Sequence, residues 1–128
     1  MMKAAIRRQR LGDEFYTAEG CFITEVSNSS DDADASIARA RLEAGKTTRW
    51  HRLDGIAERY VILQGRGSVE IGDMGATDVA VGDVVLIPPM CRQRITNTGT
   101  EELIFLAICT PRFSYGAYED IDNNPEQF

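Results

Sequence analysis

The sequence is poor in the residues that clamp small folds together or hold metals. It has one histidine, His51, one tryptophan and only three cysteines, Cys21, Cys91 and Cys109. Odd in number and far apart, the cysteines fit neither a disulfide framework nor a zinc knuckle, so free thiols in a reducing compartment are expected. No stretch approaches the roughly 18 apolar residues of a membrane span. The start, MMKAAIRRQRLGDEF, is basic but has no apolar run behind it, unlike a secretory signal, and a cytoplasmic location is expected. Basic charge is scarce overall: 14 Lys and Arg stand against 20 Asp and Glu, a formal charge of −6. Such a protein repels phosphate backbones and anionic lipid, which argues against nucleic-acid or membrane partners. No helix-period pattern of any length is present either.

What is present is a soluble globular balance, 43% apolar and 27% charged, over 128 residues. That length fits one domain, 1–128, with enough chain to bury its own core. Short β-prone runs alternate with turn residues: 21–26, 36–42, 47–51, 58–64, 67–72, 77–81, 84–87, 93–97 and 102–110. The run 36–42 alternates strictly, with Ile37, Arg39 and Arg41 on one face and Ala38, Ala40 and Leu42 on the other. Pro88-Pro89 stops the run before it. The run 102–110 is the most apolar and is expected to be buried on both faces. The segment 27–35 reads as a polar loop, and the tail from Pro111 as acidic and irregular. Turn signals every few residues and no helix of note predict an all-β sandwich or barrel.

From Gly45 the spacing becomes specific. Gly45, five residues, His51, then Glu58, six residues, and Gly65 make one set; Gly82, five residues, Pro88, Gln93 and Asn97 make another. This resembles the two signature motifs of the cupin superfamily, G-x5-H-x-H-x4-E-x6-G and G-x5-P-x-G-x2-H-x3-N, best over residues 36–110. The resemblance implies a double-stranded β-helix, or jelly-roll, barrel and a small-molecule pocket. The functions it implies are an enzyme of isomerase, cyclase, lyase or oxygenase type on a polar or carbohydrate-like substrate, or a binding module without chemistry. In metal-binding cupins the ligands are two histidines and the glutamate of the first motif and the histidine of the second. Position by position these become His51, Leu53, Glu58 and Gln93, and Met90 replaces the second motif's glycine.

Leucine offers no donor, and one imidazole with a carboxylate and an amide oxygen makes a weak, hard site. A divalent ion on His51, Glu58 and Gln93 would be bound weakly or not at all. Without metal, His51 beside Glu58 can move a proton on a bound ligand, with Tyr60 two residues along the same strand as a further catalytic candidate. An inert polar cluster or ordinary core packing is the competing reading of each. By the same parity Arg49 would accompany His51 inward, Ile62 would follow Tyr60, and Ile95 and Asn97 would follow Gln93. Met90 is expected beside the pocket mouth, and Cys91 next to it carries little sign of a reactive thiol. Arg39 and Arg41 would select an anion if they faced the barrel; they are expected to face solvent or a subunit contact, since buried unpaired arginine is costly. Exposed sheet edges and the apolar run 102–110 predict a symmetric homodimer.

Overall fold

The computed structural model describes residues 2–124, so the last four residues of the expected irregular tail lie outside it. The described residues form eleven strands: β1 (Phe15–Tyr16), β2 (Phe22–Ser27), β3 (Ser36–Leu42), β4 (His51–Leu53), β5 (Ala57–Gln64), β6 (Arg66–Ile71), β7 (Thr77–Ala80), β8 (Val84–Ile87), β9 (Gln93–Asn97), β10 (Leu103–Thr110) and β11 (Tyr118–Asp120). They form two antiparallel sheets, β1-β2-β3-β10-β5-β8 and β11-β4-β9-β6-β7. This is the all-β jelly roll expected. The polar loop 27–35 holds a single 3-10 turn, Ser30–Asp32.

Period-two alternation decides what each strand buries. Along β5, Glu58, Tyr60 and Ile62 are buried, and along β9 Gln93, Ile95 and Asn97 are. Leu42, Ile62, Ile95 and Leu103 from four strands pack in one core cluster at 1% exposure or less. Burying such a side chain is worth about 1.5–3 kcal/mol. β10 differs from expectation. Leu103, Phe105 and Cys109 are buried, whereas Ile104, Leu106 and Ile108 on the other face remain half-exposed. Among the described residues no second sheet covers that face.

Several motif residues serve the backbone. Asn97 donates from its side-chain amide to the carbonyls of Leu42 (2.9 Å) and Glu101 (2.8 Å) and accepts from the Gly99 N–H (2.9 Å). It latches the β9–β10 turn to β3. Gly65 has φ +85°, and a Cβ there would stand 2.8 Å from the Glu102 carbonyl oxygen, so only glycine fits. Met90 sits at φ 63°, which explains why a glycine suits this position.

Candidate functional site

A cavity of about 180 Å³ lies between the inner faces of β2, β3, β5 and β10, closed by the segment 17–21 and by the chain after β10. Glu58 and Tyr60 line it; His51 and Gln93 stand one layer behind, on the facing sheet. All four are buried. The structure thus brings the sequence candidates together from β4, β5 and β9.

Glu58 is 8% exposed. Its Oε2 accepts from the Cys109 thiol at 3.6 Å, across the β5–β10 ladder where the two residues are register partners. Its Oε1 has no hydrogen-bond partner among the described residues. Burial pushes the carboxyl up to about 7, and the nearby His51 and the Gln93 side chain beside it only partly offset this. The Tyr60 hydroxyl donates to Gln93 Oε1 at 2.6 Å, and its ring packs against Phe105 at 4.5 Å between centroids. Burial, and then the neighbouring Glu58, hold this phenol well above its usual range.

Gln93 is the register partner of His51 across β4–β9. The His51 Nδ1 lies 2.7 Å from the Arg49 carbonyl oxygen, which can only accept, so Nδ1 carries a proton. Nε2 then faces Glu19 Oε2 at 3.4 Å, and the ring stacks on Tyr118 at 5.2 Å. Glu19 is fixed through its backbone, whose carbonyl accepts from the Arg49 N–H at 2.9 Å. Glu19 also lines the cavity, so this contact links His51 to the cavity wall.

Other sequence candidates fall elsewhere. Arg49 does not accompany His51 inward, because regular pairing begins only at His51; it forms an ion pair with Asp120 (2.7 Å). Met90 and Cys91 are not on the cavity wall. Arg39 and Arg41 lie outside the barrel: Arg41 pairs with Glu14 at 2.6 Å and with Glu102, and Arg39 reaches Glu14 at 3.6 Å. The thiols at the cavity are Cys21 and Cys109, both pushed up mainly by burial and so kept protonated, which leaves no thiolate nucleophile there.

Cavity groups that escaped the sequence reading include Glu19, Glu25, Cys109 and Tyr118. Cys109 was legible from parity, since Leu103 and Phe105 on the same strand are plainly core. Glu19 lies in an irregular turn with no pattern to read. Tyr118 is brought in by β11, which pairs with β4 from inside the tail read as irregular.

The donor set does not suit a first-row metal ion. Leu53 packs with Ile56, Cys109 and Ala117, and Gln93 Oε1 is already accepting from Tyr60. Among the described residues no three His, Cys, Asp or Glu side chains are grouped so as to hold an ion. One imidazole remains, and first-row ions favour several.

The model of the Cupin domain matches residues 38–109. An uncharacterized protein of Methanocaldococcus jannaschii, MJ1618, is 31% identical over 103 residues, covering 79% of this chain and 82% of the relative. The glucose-6-phosphate isomerase of Pyrococcus abyssi is 29% identical over 122 residues, covering 84% of this chain. This chain spans only 65% of that isomerase's length. Among solved structures, the Streptomyces nucleoside dehydratase Pac13 superposes with a TM-score of 0.75 at 14% identity, covering 92% of each chain. A variant of that protein has also been solved with uridine. The motif spacing, the two-sheet barrel and the matching family model agree: this chain belongs to the cupin family.

Proposed function

We propose that the barrel binds a small hydrogen-bond-donating molecule and transfers a proton on it without a metal, as an isomerase- or lyase-type reaction requires. The observation that carries this is Glu58 Oε1, buried at the cavity wall with no partner among the described residues. An unpaired buried polar atom costs about 1–3 kcal/mol, and a ligand N–H or O–H would relieve that cost. With its carboxyl at about 7, Glu58 is present in both protonation states near neutrality, which suits a general acid or base. His51 and Glu19 offer a second proton path at the same wall, and Tyr60 orients Gln93 behind it. The related isomerase and the structurally similar dehydratase support this class of chemistry.

The test is a thermal-shift screen of sugars, polyols and nucleosides on chelator-treated protein. Ligands that bind are then followed by NMR in deuterated water. Deuterium uptake or turnover that Glu58→Gln abolishes, with binding kept, is the expected result. Binding without exchange would favour a non-catalytic module, and unchanged turnover in Glu58→Gln would reject Glu58 as the proton carrier.

The same reading includes a cytoplasmic homodimer. Leu63, Val81, Val84 and Leu86 are 46%, 63%, 57% and 69% exposed along β5, the β7–β8 turn and the edge strand β8. A second copy covering this face would remove both the apolar patch and the open edge. Light scattering at micromolar concentration should give twice the monomer mass, and a monomer mass would exclude the dimer.

A further inference from the structure

The cavity sorts charge sharply. Three acidic residues line it, the buried Glu58, the half-buried Glu19 and the exposed Glu25, and no lysine or arginine does among the described residues. The one basic ring nearby, His51, sits behind Glu19 rather than on the wall. Of the arginines on the surrounding strands, Arg39 and Arg41 pair with Glu14, Arg52 with Glu119 and Arg94 with Glu70, and Arg59 bonds the Thr110 hydroxyl. Rings also line it: Tyr60, Phe105, Phe113 and Tyr118 are buried or half-buried, while Phe15 and Tyr115 are exposed. Ring faces carry negative potential and attract cations, the more so where water is excluded. An anion would meet the Glu19 and Glu58 carboxyl groups and ring faces with no counter-charge on the wall, which costs more the further it is withdrawn from water.

From this geometry we infer that the ligand is a protonated organic amine with an apolar or aromatic body, and that anionic compounds such as sugar phosphates are refused. The ammonium group would donate to Glu58 Oε1, the buried acceptor that lacks a partner. Glu58 is more than nine-tenths buried and is one of the residues that line the cavity. The Glu19 and Glu25 carboxylates would balance the remaining charge, and the body would lie against the aromatic wall. The inference rests on the cavity being the binding site proposed above, but it adds the ligand's charge, which that proposal leaves open.

Three compounds of one shape separate the alternatives: 2-phenylethylamine, 2-phenylethanol and phenylacetate, each titrated by calorimetry at pH 7.5. The amine should bind at least about tenfold tighter than the alcohol, and phenylacetate should give no heat of binding. Glu58→Gln combined with Glu19→Gln should lower the amine's affinity to that of the alcohol. Ala38→Phe, which fills the cavity from β3, should abolish all binding, and its circular dichroism and melting curve report whether it is folded. An alcohol as tight as the amine, with both lost in folded Ala38→Phe, would keep the cavity as the site and overturn the charge inference. Amine binding that survives Ala38→Phe would overturn both. Phenylacetate binding, or no binding by any of the three at millimolar concentration, would overturn the charge inference.

Discussion

Glu14 and Glu58 are the same residue type on opposite sides of one six-stranded sheet, and their surroundings drive them in opposite directions. Glu14 lies against the outer face, where the Arg41 guanidinium bonds to it and, with Arg39, holds its carboxyl below the usual range. Glu58 lies on the inner face, where burial dominates and raises its carboxyl to about 7. The strand between them explains the sorting. On β3 the arginines alternate with Ala38 and Ala40, so cations go out and small apolar side chains face the cavity. One residue of parity separates a paired surface carboxylate from an unpaired one that is poised for chemistry.

The largest effect should come from removing the inner carboxylate. A carboxyl raised from 4.5 to about 7 binds its proton more tightly in the folded chain than in the unfolded one. Its contribution is therefore fully present below about pH 4.5 and is lost as pH rises through about 7. The difference is on the order of 3 kcal/mol. Urea unfolding at pH 4.5 and pH 8 should show this loss in the natural protein and a much flatter profile in Glu58→Gln. Parallel profiles would place Glu58 in a far more solvated setting.

Tyr60→Phe leaves Gln93 Oε1 buried and without its donor and should cost about 2 kcal/mol of stability, read from the urea midpoint. No change in midpoint would mean that the Tyr60–Gln93 bond contributes little.

Rebuilding the family's metal set sharpens the comparison further. Leu53→His with Gln93→His places three imidazoles and Glu58 on strands that already face one another. Zinc should bind the double variant at least about tenfold tighter than the natural protein, roughly 1.4 kcal/mol by calorimetry. Equal affinities would show that these two positions do not converge, and tight binding by the natural protein would show that its present donors suffice.

The smallest effect belongs to the outer face. Glu14→Ala strips Arg39 and Arg41 of a shared partner that is partly open to water, and should cost about 1 kcal/mol. Salt should weaken this difference and leave that of Glu58→Gln nearly unchanged. Equal salt sensitivity at both sites would erase the distinction between the two faces.

Alternation and turn chemistry were enough to locate most strands, since β3, β8 and β9 begin and end where the sequence pattern does. Motif spacing was enough to pair His51 with Gln93 and to turn Glu58 and Tyr60 inward, because each lies on a regular strand whose parity is unambiguous. The cavity itself needed the folded chain. Glu19 reaches His51 from an irregular turn, and Tyr118 stacks on the same ring only because β11 returns to β4 from the tail. Regular strands carry their facing in a local period of two, which a sequence displays. Which irregular segment closes over the barrel, and so which charges meet at its wall, depends on contacts between residues some thirty to seventy positions apart, and no local pattern records them.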